Sequence, residues 1–402
     1  MTCADARSGT PHLFSALIAC ALTAAILWAG RTTALHLERT TLPAIVFEPF
    51  SLKNQGLAFQ RATVRAPDVL PIYGSSELIH PIPDRSGDFF RGAPTGFQVS
   101  PVGKPGTTSM IMLQKLAALG TDLRGKKVAI SLSPSWFLVP VINPHSYEGN
   151  FSLLAASETV FGGALDFGLQ RDIASRMLQF PHTRATTPLL EFALARLASG
   201  TWLDRVVFCA FWPMGKTQNA MLDLQDHFAA LAHILRRAKP ALPRHPEMLD
   251  WSKLMANAGE GRDTHADKKE QALGPEAETI RGAGDGVFLE RMDAAREWID
   301  FDLLLRVLSQ IQARPLLLSM PINGLLFDHG DVSRSAHEAY YKKVRVLAQR
   351  YDFPLIEFED HDNDPAFFDR HKYHLSAKGW MFYNRALDDF FHGRDPEDST
   401  RR

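Results

Sequence analysis

Two serines closing an apolar run near residue 75 and one histidine near the carboxyl end are the side chains best placed for nucleophilic chemistry. Residues 68–73 (DVLPIY) lead into Gly74-Ser75-Ser76-Glu77, a pattern that predicts a strand ended by a sharp turn into a helix. A serine at the carboxyl end of a parallel strand can attack a carbonyl while backbone N–H groups and the dipole of the following helix receive the oxyanion. The same position also suits a plain N-cap. Serine needs a base within hydrogen-bond reach and an acid that orients this base. Among fifteen histidines, His374 stands out: it follows the last predicted strand and precedes Ser376, which reads as the N-cap of the final helix. A solvated loop histidine is the alternative. Loops at the carboxyl ends of parallel strands gather at one edge, so Ser76 and His374 can meet despite their separation.

The remaining reactive types read as structural. His361, Asp362, Asp364, Asp369, His371 and His374 crowd one stretch, but no histidine pair at helical spacing and no cysteine pair supports a metal centre, and none is expected. Asn323 and Gly324 suit a turn, with substrate contact left open. Trp136 and Phe137 read as packing. Cys209, inside the apolar run 206–212, reads as a small buried hydrophobe. Cys3 and Cys20 lie in the N-terminal segment, so the folded body has no internal disulfide to form.

The elements that must position these groups are short apolar runs at 68–73, 97–102, 126–132, 315–320 and 354–358, alternating with helical patterns at 108–119 and 333–350. That alternation predicts an α/β fold, a mainly parallel sheet covered on both faces. Residues 150–300 are helical in pattern, including 189–198 and 221–237, and read as a helical cap. Within them, 240–286 is rich in Pro, Gly and charge and reads as a long exposed, partly disordered insert.

Residues 13–30 (LFSALIACALTAAILWAG) carry no charge and as a helix would span roughly 27 Å, close to a hydrocarbon core. A retained transmembrane anchor is expected, with a cleaved signal peptide as the rival. Arg7 precedes the run and Arg31 and Arg39 follow it, so charge gives no vote on orientation. The expected layout is a cytoplasmic terminus at 1–12, the anchor at 13–30, a linker at 31–67 and one catalytic domain at 68–395. A net charge of −1 with no basic block gives no footprint for nucleic acid.

Five short blocks occur together in order: Gly74-Ser75-Ser76-Glu77-Leu78 with His80-Pro81, Val102-Gly103-Lys104-Pro105-Gly106, Ser133-Pro134-Ser135-Trp136-Phe137, Pro321-Ile322-Asn323-Gly324, and His374-Leu375-Ser376-Ala377-Lys378-Gly379-Trp380. In this the chain resembles the DltD family of D-alanyl transfer proteins, from about residue 68 to 390. The resemblance implies an SGNH hydrolase-like three-layer α/β/α domain facing the extracytoplasmic side behind an N-terminal membrane anchor. It implies transfer of D-alanyl groups to a cell-envelope glycopolymer such as teichoic acid, with a membrane-bound O-acyltransferase as partner, an acyl carrier protein upstream and no cofactor. It puts the nucleophile on Ser76, with Ser75 the lesser choice, and the base on His374. Oxyanion donors fall on the N–H groups of Ser76 and Gly103, with Ser135 where the family has Gln; Glu77 and Asn323 are candidate substrate contacts. The family's acid position, three residues before the histidine, holds His371 here, so Asp369 is the expected acid. An esterase or thioesterase acting on D-alanyl or O-acetyl groups, and a non-catalytic adaptor for the carrier and the acyltransferase, are the alternatives.

Overall fold

The computed structural model describes residues 10–48, 56–237, 239–240, 242–244, 246–259, 284–324, 332–369 and 374–394. From the amino end its elements are α1 (Thr10–Thr41), α2 (Leu57–Arg65), β1 (Val69–Gly74), α3 (Ser86–Phe89), β2 (Gln98–Gly103), α4 (Ser109–Leu119) and β3 (Lys127–Leu132). Helices come next: α5 (Pro144–Asn150), α6 (Leu153–Phe161), α7 (Phe167–Met177), α8 (Pro181–Thr186), α9 (Pro188–Ser199), α10 (Trp202–Arg237), α11 (Trp251–Gly259), α12 (Gly284–Ala294) and α13 (Glu297–Ile311). The chain then adds β4 (Arg314–Ser319), α14 (Arg334–Arg350), β5 (Leu355–Glu357) and α15 (Ala377–His392).

Among the described residues the five strands form one parallel sheet in the order β2-β1-β3-β4-β5. The chain steps from β1 to one side and then returns to the other. The crevice between the carboxyl ends of β1 and β3 is therefore a topological switch point, where such sheets place their ligands. Side chains alternate across the sheet with period two. Tyr73, Val128, Ile130, Leu132 and Leu317 enter one core, with α4, α13 and α14. Leu70, Ile72, Ala129, Leu316 and Leu318 enter the other, with α15. Three layers result, and the central strands β1, β3 and β4 are mostly apolar and buried along their length because both faces of the sheet are covered.

α4 shows the same logic in a helix. The sequence suggests an apolar stripe through Met110, Leu113 and Leu116, yet every residue of α4 is buried, because the helix is clasped between the sheet, α6 and α13. Its amino end is closed from α13, where Glu297 Oε1 accepts the Ser109 N–H at 2.8 Å. Behind Glu297, Arg176 holds buried Asp300 through two bonds of 2.7 and 2.9 Å.

Two stretches differ from expectation in shape. α1 does not stop at Gly30 but runs on to Thr41. Its apolar part is exposed, and the helix is long and apolar enough to cross a membrane. Past Gly30 the helix becomes part of the body: Ala34 and Glu38 are buried, and Glu38 Oε1 meets His227 Nδ1 of α10 at 2.7 Å. With α2 also buried, the stretch read as a linker consists in good part of packed helix. Of the insert at 240–286, residues 260–283 lie outside the described residues, while α11 packs on α15.

Candidate active site

β1 ends at Gly74, where a Cβ would lie 2.2 Å from Glu77 Oε1 and 3.0 Å from the Leu78 side chain, so the Glu77 carboxylate fills the space that a side chain would need. The turn is tied from inside. Ser75 N–H donates to Glu77 Oε1 at 2.9 Å, and Glu77 is buried. Burial pushes its carboxyl pKa up, with the Ser75 N–H pulling the other way. Glu77, a candidate substrate contact by resemblance, therefore spends its carboxyl within the turn. Beyond Ser75 the chain makes a single 3₁₀ turn, Ser76–Leu78, in place of the α-helix that the sequence predicts. So the helix dipole invoked for the oxyanion has no helix to supply it, and the donors left are individual N–H groups. Gly103 pairs with Gly74 in the sheet register, and a Cβ there would lie 2.2 Å from Gly74 O.

The two serines point apart. Ser75 is buried, and its hydroxyl donates to Lys104 O at 3.2 Å. Ser76 carries its Oγ to His374 Nε2 at 2.9 Å, across 298 positions of sequence. Ser135 exchanges a hydrogen bond of 2.9 Å with Ser133. Asn323 is buried just past β4.

His374 is held by its own loop. Phe368 and Leu375 form an antiparallel bridge, Asp369 N–H donates to His374 O at 2.8 Å, and His374 N–H donates to Asp369 Oδ1 at 3.3 Å. Ser376 caps α15 as expected, accepting the Gly379 N–H. This fold-back sets Asp369 Oδ2 3.5 Å from His374 Nδ1. That separation is longer than a completed hydrogen bond, and His374 Nδ1 is buried and makes no closer hydrogen bond among the described residues. Closing by about 0.5 Å would complete it, and resting catalytic pairs are commonly this long. The Asp369 side chain is 1% exposed. Burial alone would raise its pKa, but His374 and then His80 outweigh that and hold it below the usual carboxylate range. Asp369 thus occupies the position of the acid beside His374, while His371 lies outside the described residues.

His80 is the group that sequence reasoning passes over. Its N–H donates to Ser76 O at 2.9 Å, so the turn that presents Ser76 also carries His80 round to the same side. Its Nε2 lies 3.0 Å from Asp369 Oδ2, and its ring stacks on that of His374 with centroids 4.6 Å apart. The available signal was its place four residues after Ser76, beside Pro81, with no period to mark it. His80, Asp369 and His374 also bring metal-capable atoms within 4.8 Å of one another. A cation there would use Nδ1 of His374, because Nε2 is committed to Ser76. The other described members of the acidic and histidine-rich stretch disperse into structure: Asp362 accepts the Tyr341 hydroxyl at 2.5 Å, Asp364 takes Lys378 at 2.8 Å, and His361 stacks on Phe367.

A serine hydroxyl bonded to an imidazole backed by a buried carboxylate can take part in acyl transfer. The family model described as DltD protein matches residues 49–392. The chain belongs to the DltD family. Protein DltD of Bacillus subtilis (strain 168) is 27% identical over 345 residues, covering 84% of this chain and 86% of the relative. Protein DltD of Staphylococcus aureus (strain NCTC 8325 / PS 47) is 23% identical over 327 residues, 79% of each chain. Protein DltD of Lacticaseibacillus rhamnosus is 21% identical over 396 residues, 94% of this chain and 89% of that one. The DltD match begins upstream of β1 and ends within α15, so it takes in both the Ser76 turn and the His374 loop.

Proposed function

We propose that this protein is a membrane-anchored serine acyltransferase of the DltD type, acting outside the cytoplasm in D-alanylation of an envelope polymer. The observation that carries the reading is the 2.9 Å contact between Ser76 Oγ and His374 Nε2. It stands at the carboxyl edge of a parallel sheet, next to the switch point.

In the proposed cycle His374 Nε2 takes the Ser76 hydroxyl proton as Oγ bonds to the D-alanyl carbonyl carbon. The proton passes to the leaving group of the donor, releasing it and leaving D-alanyl-Ser76. A hydroxyl of the acceptor glycopolymer then loses its proton to His374, attacks the ester carbon and frees Ser76 Oγ, which recovers the proton. Asp369 favours the tautomer with the proton on Nδ1 and stabilises the imidazolium. The N–H groups of Ser76 and Gly103 are the proposed oxyanion donors, with Ser135 at the edge of the site. A membrane-bound O-acyltransferase fed by an acyl carrier protein would supply the D-alanyl group.

The test is a Ser76→Ala variant scored for ester-linked D-alanine in the envelope and, on purified protein, for labelling by a fluorophosphonate. Loss of both is expected, with Ser75→Ala retaining labelling. If Ser76→Ala leaves D-alanine unchanged while deletion of the whole protein abolishes it, the acyl-enzyme reading fails and the adaptor reading replaces it.

A further inference from the structure

We propose that the outer face of α10 rests on the lipid surface beside α1, so that the domain touches the bilayer at a second place. This rests on the reading of α1 as the membrane anchor. The sequence reads Cys209, inside its apolar run, as a small buried hydrophobe. Instead Cys209 is exposed, because it points to the outer side of α10 while its neighbour Phe208 takes the inner one. On the outer side Trp202, Leu203, Val206, Met214 and Met221 are 50% to 71% exposed. Steps of three and four residues put them on one stripe. The gaps are filled by Cys209, Ala210, Pro213, Thr217 and Ala220, and the one bordering charge, exposed Arg205, has its guanidinium over the Phe167 ring.

The inner face of the helix is already packed, while Phe211 and Trp212 are also exposed beyond the stripe. That inner face buries Phe208 and Asn219, with Phe208 stacked on Phe161. Asp204 binds Arg196 and Lys216 reaches Glu158, which also rules out α10 as a second spanning helix. An uncharged stripe from Trp202 to Met221 runs about 30 Å, a longer continuous apolar surface than a soluble face usually shows.

Its position selects the occupant. α1 and α10 meet just past the apolar run of α1: Arg31 reaches Asp223 at 3.5 Å, Glu38 meets His227 at 2.7 Å, and beyond the ends of both helices Lys239 N–H donates to Ala44 O at 3.2 Å. Arg31 is the first charge after the apolar run of α1, the point at which an anchor leaves hydrocarbon for headgroups. Its ion pair fixes Asp223 at that level, and the stripe begins two residues before Asp223, at Met221. An uncharged face with a terminal Trp, continuous with an anchor, has the chemistry of an interfacial helix.

The test uses the full chain with Cys3, Cys20 and Cys209 changed to serine. Single cysteines are introduced as Val206→Cys, Ala210→Cys, Met214→Cys, Leu22→Cys in α1 and Glu338→Cys on α14, and labelled with an environment-sensitive dye. Each protein is reconstituted into vesicles of three parts phosphatidylcholine to one part phosphatidylglycerol, with or without a nitroxide on the acyl chain. Labels at 206, 210 and 214 are expected to be quenched at least about half as strongly as the label at 22, as for a helix lying in the headgroup boundary, and the label at 338 not at all. Unquenched labels at 206, 210 and 214 with a quenched label at 22 would overturn the α10 contact and leave the anchor standing, assigning the stripe to a protein partner. An unquenched label at 22 would remove the anchor itself and the proposal with it.

Discussion

Replacing Asp369 by Asn tests whether the displaced acid does the work of a triad carboxylate. The change keeps size and the hydrogen bond from His374 N–H but removes a charge 3.5 Å from His374 Nδ1. At an effective dielectric of about 20, attraction between that carboxylate and the imidazolium formed during acylation is about 5 kcal/mol. The carboxylate is almost wholly shielded from water, so solvent does little to weaken it. At about 1.4 kcal/mol per decade, and allowing for the amide dipole that remains, acylation should slow by about 10³-fold. The assay is the second-order rate constant for fluorophosphonate labelling of Ser76, with thermal unfolding as the control for folding. A fall of less than about 10-fold in a normally folded variant would refute the assignment. His371→Ala, measured in parallel, should stay near wild type; if it shows the large fall instead, His371 is the supporting group. The stability side has its own sign. Asp369 is held below its ordinary pKa, so its contribution is present above the usual carboxylate range and lost as pH falls through the depressed value. Asp369→Asn should therefore be less stable than wild type at neutral pH, with the gap closing below about pH 4.

Other contacts can be tested in the same way. His80→Phe keeps a stacked ring but loses the Nε2 contact with Asp369; it should lower kcat by about 10-fold, as expected for a hydrogen bond to a charged group, with KM little changed, and an effect on KM alone would contradict a positioning role. Arg176→Ala strands Asp300 and Glu297 in the core and should cost about 3–5 kcal/mol in denaturant unfolding. For His227, burial works against protonation, but Asp223 and Glu38 outweigh it and push the pKa up to about 9. The stability it contributes is complete below the ordinary histidine range and lost as pH rises through about 9, so wild type should lose about 1–3 kcal/mol across that window and His227→Gln should not.

How far the sequence could be read depended on whether a pattern had one physical cause. The five strands were visible because runs such as KKVAISL and PLLLSM are apolar on both faces and bounded by Pro, Gly or charge, which a doubly covered strand requires. Ser376 was legible as a cap, and Asp369 as the nearest carboxylate to His374. Cys209 was misread because an apolar residue at helical spacing looks the same whether it faces a core or leaves it. His80 was missed because a 3₁₀ turn imposes no lasting period, and the helix expected after Ser76 failed for the same local reason. The end of α1 was placed at Gly30 because hydropathy stops there. Helix propensity does not, and Ala34 and Glu38 carry it into the body.

That continuation changes what kind of machine the domain is. From Gly30 to Thr41 the helix rises a further 16 Å or so without a break, and the Glu38–His227 pair clamps it to α10. With α1 as the proposed anchor, the Ser76 site is bolted to its footing. A domain on a slack leash would sweep a hemisphere and meet acceptors at any height. A bolted one sweeps only a thin slab parallel to the bilayer, as its foot diffuses sideways. Reach is then set by the acceptor: a polymer must present its hydroxyls at the working height of the serine, and groups far above or below stay unmodified however reactive they are.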